Sequence, residues 1–139
     1  MKTQAVQIMK RTSSKRILAI DDEPIILEIV QGCLEDLAGW DVLIAKSGEE
    51  GLRKAIEEKP DAIVLDMMMP EMDGLGFLRR LRSDSKTQSI PVILLTVKEE
   101  FTDRHWRSLL NLAAVLTKPF DPYQLIEQIS TAIDRNEEN

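Results

Sequence analysis

The sequence predicts an α/β protein built on a five-stranded parallel sheet, and three observations predict it. Five short apolar runs recur along the chain, each of strand length and rich in Ile, Val and Leu, as strands buried on both faces are. Stretches of helical length separate them, and helix-start signals such as Pro24, Ser47 and Asp121-Pro122 follow the first, second and fifth runs closely. Strands alternating with helices in this way join through right-handed crossovers into one parallel sheet. No internal repeat, linker or second domain interrupts the pattern.

In chain order, residues 1–14 carry Lys2, Lys10 and Arg11 with no acid and little periodicity, so they read as a basic, loosely ordered arm or a short extra helix. Arg16 to Ile20 is the first strand, ended by Asp21-Asp22-Glu23-Pro24. Pro24 suits the first turn of a helix, which the apolar set Ile25, Ile29, Cys33 and Leu37 continues and Gly39 stops. Cys33, the single cysteine, reads as a small buried side chain. Trp40 to Ala45 is a half-buried strand, and Ser47-Gly-Glu-Glu50 has the form of a capping box opening a helix to about Glu58.

Asp61 to Asp66 is the third strand and the one around which the site is organised, because it ends on a lone carboxylate before Pro70 and Asp73-Gly74 turn the chain. A helix from about Gly74 to Arg82, a polar loop from Ser83 to Ser89 and a strand from Ile90 to Leu95, with Thr96 at its end, come next. Glu99 to Leu110 reads as a helix with Asn111 as a left-handed cap, and Ala113 to Leu116 as the fifth strand. Asp121-Pro122 opens a last helix to about Arg135, and 136–139 form an acidic tail. The body is therefore one domain over 15–135.

At 139 residues the chain is long enough for an ordinary core without disulfide staples. A net charge of −6 argues against general nucleic-acid binding. No apolar stretch approaches the roughly 18 residues of a membrane span. A cytoplasmic protein with no membrane contact is expected.

Asp21, Asp22, Asp66, Thr96 and Lys118 all fall at the carboxyl ends of predicted strands, where open α/β sheets form their sites. Carboxylates gathered there repel by about 4 kcal/mol per pair at about 4 Å and an effective dielectric near 20, unless a proton or a cation intervenes. Oxygen donors without thiolate suit Mg²⁺, Lys118 adds a point charge, and Thr96 adds a hydroxyl donor. The simplest chemistry for the set is phosphoryl transfer to Asp66. His105 is the only histidine, so no Ser-His-Asp arrangement competes, and no Gly-rich nucleotide loop is present.

With Asp21-Asp22, Asp66-Met-Met-Met-Pro70, Met72-Asp73-Gly74, Thr96 and Lys118-Pro119-Phe120 standing in this order, the chain resembles the response-regulator receiver domain of two-component signalling over about residues 15–135. The resemblance implies the doubly wound fold, with strand order 2-1-3-4-5 and five helices, and a cis bond before Pro119. It implies phosphorylation of Asp66 by a histidine kinase or phosphotransfer protein, with Thr96 and Lys118 holding the phosphoryl group. It implies Mg²⁺ held by Asp22 and Asp66, by Asp21 through water, and by the backbone carbonyl of Met68. Readout would pass through the helix at 99–110, the fifth strand and the last helix to an unknown partner or to a second copy. The chain would be a regulator that catalyses only its own phosphorylation and dephosphorylation.

Three departures from the family pattern stand out. Val115 occupies the place of the usual aromatic switch residue, Val97 follows the hydroxyl residue where Ala or Gly is usual, and Met68 and Lys98 occupy positions that tune phosphoryl lifetime. An apolar Met68 cannot orient an attacking water, so slow hydrolysis is expected. The alternative reading is a receiver-like interaction module that is not phosphorylated, which Val115 favours and the intact acidic set opposes. A phosphatase with an Asp nucleophile would want a second acid where Met68 stands.

Overall fold

The computed structural model describes residues 14–66, 74–97, 107–108 and 111–138. The strands are β1 (Arg16–Ile20), β2 (Asp41–Ala45), β3 (Ala62–Asp66), β4 (Val92–Thr96) and β5 (Ala114–Thr117). They form one parallel sheet in the order β2-β1-β3-β4-β5. Four helices stand among the described residues: α1 (Pro24–Ala38), α2 (Gly48–Glu58), α3 (Gly74–Ser83) and α4 (Pro122–Glu138). Most of the helix expected at 99–110 lies outside the described residues, as do residues 1–13, Met67 to Asp73, Lys98, His105 and Trp106.

The alternation of side chains along each strand divides the core into two layers. Leu18, Ile20, Ile63, Leu65, Val92 and Leu94 face α2 and α3, packing on Leu52, Ala55, Phe77 and Leu81. Ile17, Ala19, Val64, Ile93 and Leu95 face the other way, onto Leu27, Val30 and Leu34 of α1 and Leu125, Ile129 and Ile133 of α4. Both faces are covered, which is why the central strands read as unbroken apolar runs.

Helix boundaries follow their local chemistry. Ser47 Oγ accepts a hydrogen bond from the Glu50 backbone N–H at 3.2 Å, the N-terminal half of the expected capping box. Gly39 ends α1 in the left-handed conformation (φ 71°), its N–H donating to Glu35 O. Asn111 adopts φ 53°, as a left-handed cap should. Asp121 Oδ1 accepts from the Tyr123 N–H at the start of α4. That helix runs to Glu138, past the expected stop near Arg135, and Glu137 bonds Lys15 Nζ at 2.9 Å.

One expectation is corrected: Cys33, read as a small buried side chain, is half-buried. Ile25, Ile29 and Leu37, on the same line of the helix, are 69%, 46% and 46% exposed. The helix carries two apolar lines, and Leu27, Val30 and Leu34, spaced by three and four residues, form the inward one. A set spaced by four alone drifts around the helix instead of holding one face.

Two glycines make opposite predictions. A Cβ on Gly51 in α2 would lie 2.5 Å from Ile20 Cδ1 and 3.3 Å from Phe77 Cε1, and both of those side chains are fully buried. Overpacking of about 1–3 kcal/mol outweighs the roughly 1 kcal/mol that Ala gains over Gly in a helix. Gly51→Ala is therefore expected to lower stability in urea titration. Gly32→Ala in α1, where a Cβ meets nothing within 4 Å, is expected to raise it by up to about 1 kcal/mol.

Candidate functional site at the carboxyl edge of the sheet

Strand register brings the expected residues together. Ile20 of β1 pairs with Leu65 of β3, so Asp21 and Asp66, the next residue on each, are level with one another. Asp66 pairs with Leu95, which places Thr96 one residue beyond it on the adjacent strand. Thr96 pairs with Thr117, and the Lys118 N–H donates to Thr96 O at 2.9 Å. The Lys118–Pro119 peptide bond is cis, as expected.

Carboxylate oxygens of Asp21, Asp22 and Asp66 lie within 4.8 Å of one another. Lys118 Nζ sits against two of these acids, 3.3 Å from Asp66 Oδ1 and 3.6 Å from Asp21 Oδ2. Asp21, Asp66 and Thr96 are buried, at 3%, 6% and 2% exposure. The sequence pattern predicts Lys118 as a point charge among these acids but does not single out Asp21 and Asp66 as its partners; that choice follows from the apposition of the β1, β3 and β5 ends across the sheet.

The electrostatics are those of crowded acids. Burial, and then the charge of Asp66, push the Asp21 carboxyl up to about 6 from an ordinary 3.8, against the opposing pull of the Glu23 N–H and Lys118. Asp21 Oδ1 accepts from the Glu23 backbone N–H at 3.0 Å. Asp21 Oδ2 is buried with no hydrogen-bond donor among the described residues, and the Lys118 amine lies 3.6 Å from it. A buried carboxylate oxygen without a donor, beside two further acids and one amine, leaves negative charge uncompensated. Hard oxygen donors of this kind, with no thiolate or imidazole among the described residues nearby, fit a small divalent cation such as Mg²⁺. The Met68 carbonyl expected as a further ligand lies outside the described residues.

The family described as response regulator receiver domain matches residues 17–130. The chain belongs to that family. It is a receiver domain of the two-component response regulators, and its strand order is the one expected from the sequence. It is similar to the alkaline phosphatase synthesis transcriptional regulatory protein PhoP of Bacillus subtilis, 39% identical over 124 residues that cover 89% of this chain and 50% of that one. The chain thus spans about half the length of that relative. Against protein PilH of Pseudomonas aeruginosa it is 36% identical over 118 residues, 85% of this receiver and 97% of PilH. Among solved structures, the receiver domain of sensor histidine kinase PA1611 from Pseudomonas aeruginosa PAO1 superposes with a TM-score of 0.78 at 26% identity, covering 88% of this chain and 99% of that one. That structure is described with a magnesium ion coordinated in its active-site cleft. No helix among the described residues of this receiver is long and apolar enough to cross a membrane.

Proposed function

We propose that this receiver is a phosphorylation-dependent switch in which Asp66 accepts a phosphoryl group from a phosphohistidine on a histidine kinase or phosphotransfer protein. The observation that carries the reading is the Lys118 amine lying between Asp66 and Asp21 inside a cluster of three carboxylates drawn from separate strand ends. An Asp66 oxygen attacks phosphorus, a P–O bond forms as the P–N bond breaks, and the departing imidazole nitrogen takes a proton from solvent. Asp21, Asp22 and Asp66, with the carbonyl of Met68, would hold Mg²⁺, which supplies positive charge to the phosphoryl oxygens. Lys118 shifts its charge from the free carboxylates to a phosphoryl oxygen, and the Thr96 hydroxyl donates to another.

Those two contacts are the means by which phosphorylation favours one of two conformations of the domain. The readout face comprises the segment before β5, β5 itself and α4, and it serves a downstream protein or a second copy. Val115 on β5 is half-buried and not aromatic, so no ring at that position swings inward to report phosphorylation. The receiver body is 15–135, with the basic segment 1–14 outside it, and the protein acts in the cytoplasm as a regulator rather than as an enzyme on other substrates.

The test is intact mass after incubation with a small acyl phosphate, with Mg²⁺ and with EDTA. The expected result is a gain of one phosphoryl group that depends on Mg²⁺. An unmodified mass in the Mg²⁺ arm, with folding intact, would refute the switch and leave the unphosphorylated interaction module.

A further inference from the structure

The outer face of α1 leaves a line of apolar side chains exposed. Ile25, Ile29 and Leu37 are exposed along one side of the helix, with Cys33 half-buried on the same line. Position 32, between them, carries no side chain and has open space around it. Glu28, Glu35 and Asp36 stand exposed beside this line, and α1 has no Lys, Arg or His anywhere in Pro24–Ala38. The face is therefore apolar and acidic together, with a notch at Gly32 where another backbone can approach.

A segment of opposite character begins the same chain. Residues 1–13 contain Lys2, Lys10 and Arg11, no acid, and the apolar residues Val6, Ile8 and Met9. The chain leaves this segment beside the C-terminal end of α1. Lys15 O accepts from the Asp41 N–H at 2.9 Å, and Lys15 lines a cavity of about 190 Å³ with Trp40, Ser130, Ile133 and Asp134. Trp40 follows the Gly39 cap of α1 directly. Thirteen residues reach roughly 20 Å as a helix and about twice that when extended. Either length spans most of α1, whose 15 residues run about 22 Å.

We propose that residues 1–13 dock along the outer face of α1, setting Lys2, Lys10 and Arg11 against Glu28, Glu35 and Asp36 and their apolar side chains over the line from Leu37 to Ile29. Exposed ion pairs are individually weak, so the three pairs and the apolar contact act together against the entropy cost of ordering the segment. The inference stands apart from the phosphoryl chemistry at Asp66, because α1's outer face is on the far side of the helix from the core that carries the strand ends.

Cys33 supplies the probe, since it is the single thiol and lies in the line to be covered. The experiment compares alkylation of Cys33 by a maleimide in the whole chain and in a variant with Lys2→Glu, Lys10→Glu and Arg11→Glu. The expected result is alkylation about threefold to tenfold faster in the variant, and a similar gain for the native chain in high salt, which screens exposed pairs. Equal rates for the two proteins, with matching thermal unfolding, would overturn the proposal. A protection that disappears on dilution would overturn it too, since the cover would then be a second copy's segment or a second copy's α1.

Discussion

An Asp66→Asn variant is expected to take up no phosphoryl group from an acyl phosphate with Mg²⁺ present, while retaining the fold. The amide keeps the volume of the carboxylate but not its nucleophilic oxygen, and it offers no charge to a cation. Asp21 and Asp22, at the end of β1, are given no acceptor role in this reading; they are the carboxylates that would hold the metal beside Asp66. The fold should not suffer, because removing one of three mutually repelling acids relieves the cluster while Lys118 keeps its contact with Asp21. Intact mass with and without the donor measures the first half, and thermal unfolding without metal measures the second. A variant that still gains a phosphoryl group in a Mg²⁺-dependent way would move the acceptor to another residue and dissolve the role given to β3's last position.

The strands and the residues at their ends were legible because each depends on a local signal, whereas their order came only with the family resemblance. A parallel sheet covered on both faces demands continuous apolar runs, and the chain has to leave each run through polar residues that solvent or a ligand can satisfy. Ser47, Gly39 and Asn111 were legible for a similar reason, since caps answer to one or two neighbours. The inward face of α1 was not. Pro24–Ala38 contains apolar residues on more than one side, and only the contact with α4 and the sheet selects Leu27, Val30 and Leu34 over Ile25, Ile29 and Leu37. The clamp made by Arg82 was equally hidden. Its guanidinium donates to Gln88 O and Ile90 O ahead of β4 and to Asn111 O ahead of β5, with its basicity lowered by burial. Those carbonyls are near Arg82 only after α3, β4 and β5 have assembled.

Asp21 carries the largest expected effect of pH and metal on stability. Its carboxyl titrates near 6 in the folded protein and near 3.8 in an ordinary setting, so the fold favours the protonated form. Stability from this group is then fully present below the unfolded value and is lost as pH rises through the folded one. The groups facing it are Asp66 and Asp22, which raise its titration, and Lys118 with the Glu23 N–H, which lower it. Across that window the loss amounts to about 3 kcal/mol at most. Asn at position 21 is neutral at every pH, so Asp21→Asn is expected to be more stable than the native protein by about 1–3 kcal/mol at pH 7.5 without metal. The gap should close toward pH 4, where both side chains are uncharged. Saturating Mg²⁺ should close the gap or reverse it: at about 100 times its dissociation constant a ligand adds about 2.7 kcal/mol to the native fold, and the variant lacks one of the carboxylates that would bind it. Urea titrations of both proteins at pH 4.5 and 7.5, with Mg²⁺ and with EDTA, measure all four corners. A native protein that resists urea better than the variant at pH 7.5 in EDTA would mean that Lys118 already neutralises Asp21, and the cluster would then have no electrostatic need of a cation.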